Sequence, residues 1–343
     1  MRNGELSILK RCILFVFSFI LLTSCLKRDE MSLNKQIANL LSRYYAYPED
    51  RKRETLDLIS QIRNKGNLKI EEVENELAQF NNKHLYLVNS NEESPSLNHP
   101  CVQAVLNRLV IHSFWCVPKN KEQKGRSEIR ENFKYHFITS LLRVMSYLDQ
   151  HNMKEMIIDL KGNGGGGDDE MMIALYPFLK GRVAIYDYQF KWASTPHYPI
   201  KAISKFLTQS GLSEFSFFHS LLNQSWDQRR TFYFDENDEM WNKFKITDDL
   251  QWKKLQERFG KKIKEIEIKL EVDSSTGSAS ELYASILVDL KRAEVLSFKR
   301  TKGSVGAPSF HTIRSREGKN YQLAIPSVRV WRIRGDTLEG RGL

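Results

Sequence analysis

The apolar positions of this chain change period several times, and the changes divide it into elements. From residue 31 to residue 91 the spacing is helical. Ile37, Leu40, Leu41 and Tyr44 recur at three- and four-residue intervals, as do Leu56, Leu58, Ile59 and Ile62, and then Val73, Leu77 and Phe80. Pro48-Glu49-Asp50 and Gly66-Asn67 break the pattern, which predicts a small helical unit over residues 26–91 ending in a strand near Leu85-Tyr86-Leu87-Val88. Residues 89–100 are polar with two prolines and read as a loop. Val102, Val105, Leu106, Leu109 and Val110 have helical spacing. Phe133, Phe137, Leu141, Val144, Met145 and Leu148 predict a long amphipathic helix over Ser127 to Gln150.

Met156-Ile157-Ile158-Asp159-Leu160 is a short continuous apolar run, as buried strands are. The run Gly162-Asn163-Gly164-Gly165-Gly166-Gly167 follows it, then helical spacing from Asp168 (Met171, Met172, Leu175, Phe178) and a second strand signal at Val183 and Ile185. Strand, glycine turn, helix and strand predict a βαβ unit in a mainly parallel sheet. Residues 191–258 are rich in aromatics broken by polar turns, and are expected either to be an insertion that lids a site or to form a helical subdomain with its own core. Ile266, Ile268, Leu270 and Val272 alternate as a strand does. Leu282, Tyr283, Ile286, Leu287 and Leu290 are helical, and Ser274 to Glu281 joins the two.

That junction is the first candidate for chemistry. Small residues between a strand and a helix permit a sharp turn and leave a hydroxyl at a helix N-terminus, where unpaired N–H groups favour developing negative charge. Ser278 followed by Glu281 also has the form of a capping box, a purely structural reading. The glycine run is not a phosphate loop: it lacks the Gly-Lys-Ser/Thr ending, and Asp168, Asp169 and Glu170 open its helix. Its glycines instead allow a backbone N–H to approach a substrate carbonyl.

Composition adds little to this and excludes some classes. The chain of 343 residues has a net charge of +10, with its 52 basic residues interleaved among 42 acidic ones rather than clustered. No nucleic-acid-binding motif accompanies them, so a solvated basic surface is expected and nucleic acid is not an expected partner. Arg2, Lys10 and Arg11 precede the apolar run Cys12 to Leu22 and then Leu22-Thr23-Ser24-Cys25. This is a secretory signal too short to span a membrane, and the Cys resembles a lipobox cysteine, which implies cleavage before Cys25 and lipid attachment to it. Outside the cytoplasm Cys101 and Cys116 can pair if the chain folds back between them; both states stay open. Two cysteines without clustered histidines make a poor zinc site, and neither metal nor cofactor is expected.

Two blocks in order resemble one family. Ile157-Ile158-Asp159-Leu160-Lys161-Gly162-Asn163-Gly164-Gly165-Gly166 is similar to the strand-turn of the tail-specific, or C-terminal processing, serine peptidases. Gly277-Ser278-Ala279-Ser280-Glu281-Leu282, with Asp289 and Arg292-Ala293, is similar to their nucleophile block. The ending, Asp336 to Leu343, resembles their closing strand region, which normally continues into Pro-Asp. The resemblance implies an α/β, crotonase-like (ClpP/crotonase) core within residues 92–343, with the aromatic-rich insertion at 191–258. It implies Ser278 as nucleophile, an oxyanion hole from Ala279 N–H and a glycine of Gly164, Gly165 and Gly166, and Asp289 as a supporting aspartate.

The base has two candidates. Lys302 in Thr301-Lys302-Gly303-Ser304 falls one residue before the family's lysine position, and His84 in Asn82-Lys83-His84-Leu85 occupies the place of a histidine used by other branches, without its usual Asp and Thr neighbours. The stretch between His84 and Met156 is too short for the PDZ domain of typical members. The expectation is a lipid-anchored serine peptidase of the bacterial cell envelope that cleaves peptides or proteins through an acyl-enzyme. Its rivals are an inactive relative serving as an envelope scaffold and, on fold alone, an acyl-CoA enzyme. Oligomeric state is not legible.

Overall fold

The computed structural model describes residues 31–46, 51–66, 68–80, 82, 84–89, 100–117, 126–190, 229–244, 246–296, 299–306, 308–315, 317–339 and 341–343. Cys25 and the signal segment lie outside the described residues, as does 191–228 of the aromatic segment. Among the described residues no helix is long and apolar enough to cross a membrane. The chain forms two compact units, one of residues 1–92 and 308–325, the other of 93–307 and 326–343.

The first unit contains α1 (Leu33–Tyr44), α2 (Lys52–Asn64) and α3 (Ile70–Ala78), the three helices that the spacing predicts. Ile37, Leu41, Ile59, Ile62, Val73, Leu77 and Phe80 bury the shared face. To these the structure adds a sheet. β1 (Tyr86–Asn89) pairs antiparallel with β10 (Asn320–Pro326), and β9 (Pro308–Arg314) lies on the other side of β10. Ile313, Leu323 and Ile325 complete the helical core. A helical unit confined to 26–91 would leave that core open; two strands from more than 200 residues downstream close it.

The second unit is built on a five-stranded sheet of order β2-β3-β4-β7-β8. Its strands are β2 (Val102–Val105), β3 (Arg108–Ile111), β4 (Glu155–Asp159), β7 (Glu267–Glu271) and β8 (Ala293–Val295). β3, β4, β7 and β8 run parallel, and β2 joins β3 antiparallel. Two expectations are corrected here. Residues 102–110 are a hairpin rather than a helix, because the chain reverses at Leu106-Asn107, with Leu106 at φ 57°. In a nine-residue stretch a period of three or four and a broken period of two select nearly the same positions. The fold-back also brings Cys101 and Cys116 together as a disulfide, with Cα atoms 5.4 Å apart. Secondly, the strand after the glycine turn, β5 (Arg182–Phe190), does not join β4. It pairs antiparallel with β6 (Arg230–Asp235) and β11 (Val328–Arg332) in a separate sheet, and the parallel partner of β4 is β7.

The helices α4 (Arg126–Gln150), α5 (Asp168–Leu175), α7 (Leu250–Glu265) and α8 (Ala279–Asp289) pack with the sheets, and α6 (Met240–Lys243) is a single short turn. The described part of the aromatic segment is core rather than lid. Phe234, Trp241, Phe244 and Trp252 are buried in the same cluster as Phe133, Leu141, Ile158 and Ile286. Tyr176 bridges Trp241 and Trp252, at ring separations of 4.4 and 5.2 Å.

At the C-terminal edge of the parallel sheet, Glu271 receives Arg108 at 2.7 Å and also binds Lys161. The Arg108 hydrogen bond, aided by Lys161 and opposed by burial, holds the Glu271 carboxyl down at about 2. A carboxylate depressed by folding stabilises the fold fully above its ordinary pKa of 4.5 and loses that contribution as pH falls through the folded value. Glu271→Gln should therefore lower stability at neutral pH and flatten the decline between pH 4.5 and about 2, as read by denaturant unfolding at a series of pH values.

Candidate active site

The site forms where two turns at the ends of adjacent parallel strands meet, the position open α/β sheets commonly use for ligands. After β4 the chain runs Gly162 to Gly167 into α5; after β7 it runs Asp273 to Ser278 into α8. The second turn is wound around Asp273. Its Oδ1 accepts N–H bonds from Gly162 at 3.1 Å, Ser275 at 2.9 Å and Thr276 at 3.0 Å. Burial pushes this carboxyl up, but those bonds outweigh it and leave it below the usual range.

Asn163 ties the two turns together and has no exposed surface. Its Nδ2 donates to Ile111 C=O at 2.8 Å, and its Oδ1 accepts Gly165 N–H at 2.9 Å and Ser280 Oγ at 3.0 Å. Its C=O accepts Gly277 N–H at 3.1 Å and Ser280 Oγ at 2.7 Å. One side chain thus sets the glycine turn, and the same residue's carbonyl sets the serine turn.

Ser278 precedes α8 with φ 54° and ψ −130°, a conformation strained for any residue with a side chain. Its N–H donates to Ser304 C=O at 2.6 Å. Its Oγ makes no cap bond, and among the described residues it has no hydrogen-bond partner. The capping-box reading of Ser278 and Glu281 is therefore corrected: Glu281 turns away and accepts from Thr301 Oγ1, Gly303 N–H and Ser304 N–H. Strain combined with an uncommitted hydroxyl at a helix N-terminus is the arrangement of a nucleophile turn, in which the backbone aims the side chain outward.

The glycines explain how close the partner turn can come. A Cβ on Gly165, at φ 111°, would fall 2.5 Å from Ser278 Cβ and 3.0 Å from its Oγ. One on Gly166, at φ 143°, would fall 2.3 Å from the carbonyl carbon of Phe114. That second approach is a strand-like bridge, with Phe114 N–H bonded to Gly165 C=O and Gly167 N–H to Phe114 C=O, each at 3.0 Å. Gly165 leaves the set of oxyanion donors, because its N–H is already bonded to Asn163 Oδ1. The N–H groups of Gly164, Gly166 and Ala279 have no acceptor among the described residues.

Lys302 lies beside the serine turn. Its N–H donates to Thr276 C=O at 2.8 Å, and a Cβ on Gly277 would fall 2.9 Å from Lys302 Cδ. No hydrogen bond joins it to Ser278 Oγ in this structure. His84 belongs to the other unit, just ahead of β1, with its N–H on Asn82 Oδ1 at 3.0 Å. Asp289 is not at the reacting end. It closes α8 about 16 Å of helix away from Ser278. There its buried carboxylate takes Arg332 through two nitrogens and Arg334 at 3.0 Å. It is a positioning group that pins the helix to β11. Among the described residues no cluster of metal-ligating side chains occurs.

Sequence reasoning missed Asn163 and Glu281 as site residues. Asn163 stands as the one side-chain amide inside a run of five glycines, a signal that was available; Glu281 was hidden by its fit to a capping box.

The model of peptidase family S41 matches residues 131–343, and the chain belongs to that family of serine-type peptidases. No curated protein sequence matches it. Among solved structures, a putative peptidase from Parabacteroides merdae is similar at 12% identity over 90% of this chain and 87% of that one, with a TM-score of 0.53. A lipoprotein from Streptococcus agalactiae matches at 12% identity over 91% of this chain and 88% of that one, with a TM-score of 0.44. A photosystem II D1 C-terminal processing protease matches at 14% identity over 69% of this chain, with a TM-score of 0.38. The chain spans 40% of the length of that protease.

Two substitutions probe the turn geometry. Asn163→Ala strands the buried Gly165 N–H and removes the amide donor from Ile111 C=O, at a cost of about 1–3 kcal/mol for each unpaired group, while Ser280 Oγ keeps its backbone acceptors. Thermal melting should register a large loss of stability. Gly165→Ala should displace Ser278 and abolish labelling by a serine-directed probe while changing the melting temperature less.

Proposed function

We propose that the protein is a serine endopeptidase that cleaves peptide or protein chains through an acyl-enzyme on Ser278. The observation that carries this reading is the strained, uncommitted Ser278 hydroxyl set against Gly165, beside the open N–H groups of Gly164, Gly166 and Ala279. Ser278 Oγ attacks the scissile carbonyl carbon and its proton passes to the general base. The carbonyl oxygen becomes an oxyanion held by Ala279 N–H, at the positive end of α8, and by Gly164 or Gly166 N–H. The tetrahedral intermediate collapses, the base returns the proton to the leaving amine, and water then hydrolyses the ester by the same steps in reverse.

Lys302 is the base in this reading, since its stem is packed on Gly277 next to the nucleophile. An apo site commonly tightens this kind of contact only when substrate binds. His84 is the alternative that the experiment separates. The crotonase-like description of the core belongs to the same proposal, supported by the β2-β3-β4-β7-β8 sheet with the site at its strand ends. The lipobox-like segment supports placing the mature chain at the bacterial cell envelope, anchored through Cys25.

A biotinylated fluorophosphonate should label the wild type and not Ser278→Ala. Lys302→Met should cut the labelling rate by about 100-fold or more, as loss of a general base does, and His84→Ala should leave it near wild type. Equal labelling of wild type and Ser278→Ala would remove the nucleophile, and the reverse ranking of the two base variants would move the base to His84. Wild-type protein that neither labels nor cleaves unfolded protein would favour the scaffold reading. Metabolic labelling with palmitate should mark the wild type and not Cys25→Ala.

A further inference from the structure

Glu281 is a carboxylate with no exposed surface, in the first turn of α8 and three residues beyond Ser278. Its Oε1 accepts Thr301 Oγ1, and also Gly303 N–H at 3.0 Å; its Oε2 accepts Ser304 N–H at 3.0 Å. These donors bracket Lys302 on both sides. The loop is tied to the serine turn a second time, through Ser278 N–H on Ser304 C=O and Lys302 N–H on Thr276 C=O. The closing segment backs it from behind. Val305 N–H donates to Glu339 Oε2 at 3.0 Å, and Leu343 N–H to Thr301 Oγ1 at 2.6 Å.

We propose that Glu281 is a positioning residue for the proton-transfer step, fixing the backbone that carries Lys302 relative to Ser278. This rests on the reading of Ser278 and Lys302 as nucleophile and base. The chemistry selects a carboxylate. Three donors converge on two oxygens, so an amide of the same shape would offer one oxygen and turn an NH2 group toward a donor it cannot accept from. Glu339 complements it. Burial, opposed by the Val305 bond and aided by the charge of Glu281, pushes the Glu339 carboxyl up to about 7. The helix that presents the nucleophile therefore also holds the base's loop, and the two move as one body.

The test is the rate, the endpoint and the pH dependence of labelling by the biotinylated fluorophosphonate, in which Ser278 Oγ bonds to phosphorus, fluoride leaves and the serine proton goes to the base. Glu281→Gln should lower the rate on the order of 10- to 100-fold, the effect of displacing a reacting group by about 1 Å. It should still label to the wild-type endpoint, and the deficit should narrow as pH rises and hydroxide replaces the misplaced base. Thr301→Val keeps both backbone bonds, and should show a smaller deficit of the same pH dependence; it carries the test if Glu281→Gln does not fold. Wild-type rates in a folded Glu281→Gln, or a deficit that is confined to the endpoint or independent of pH in both variants, would overturn the proposal. Wild-type protein that does not label would instead fail the reading of Ser278, whatever Glu281 does.

Discussion

The structure of the site depends on satisfying one buried amide. Asn163 presents a donor and an acceptor in a fully buried position, and its side-chain hydrogen bonds fix two pieces of backbone and the Ser280 hydroxyl. The bond to Ile111 anchors the glycine turn to the sheet, and the bond from Gly165 curls that turn back on itself. The bonds from Gly277 and Ser280 fasten the start of α8 to the same residue. Two loops more than a hundred residues apart are held within contact distance because a buried polar group left unpaired costs more than the order it imposes.

On that frame the chain tolerates local strain. Ser278 sits in a backbone region that costs on the order of 1–3 kcal/mol for a residue with a side chain. The cost is met by the Ser304 carbonyl on its N–H, by the Gly165 backbone against its side chain and by α8, which starts at the next residue. Glu281 extends the same rigidity to the Lys302 loop, and Asp289 extends it to β11 at the other end of the helix. Helix α8 thus joins Ser278, the Lys302 loop and the sheet beyond them, and each of its polar ends is occupied by a group that orients something else.

Much of this was legible from residue pattern where the pattern was long. The three N-terminal helices and the 25-residue α4 follow from periodic apolar positions over several turns. β4, β7 and the two turns follow from short apolar runs ending in small residues. The hairpin at 102–110 did not, because nine residues hold too few periods to separate helix from strand. The destination of β5 was also hidden, since strand, helix and strand in succession describe a parallel crossover equally well whether or not the second strand joins the same sheet. Trp241 and Trp252 looked like an insertion because composition carries no information about which core an aromatic enters. At the site, the serine turn and the glycine turn were readable by residue type and spacing, whereas the contacts of Asn163 and Glu281 depend on which backbone groups lie near them, and that is set by tertiary contact.

The central claim is that Ser278 Oγ faces an oxyanion hole made by the Ala279 N–H and the open N–H groups of Gly164 and Gly166. A crystal structure of the protein after reaction with a fluorophosphonate measures this directly. The account predicts a covalent bond from Ser278 Oγ to phosphorus, with the phosphoryl oxygen within hydrogen-bond distance of Ala279 N and of Gly164 or Gly166 N. A phosphoryl oxygen pointing to solvent, or an adduct on another residue, would contradict it.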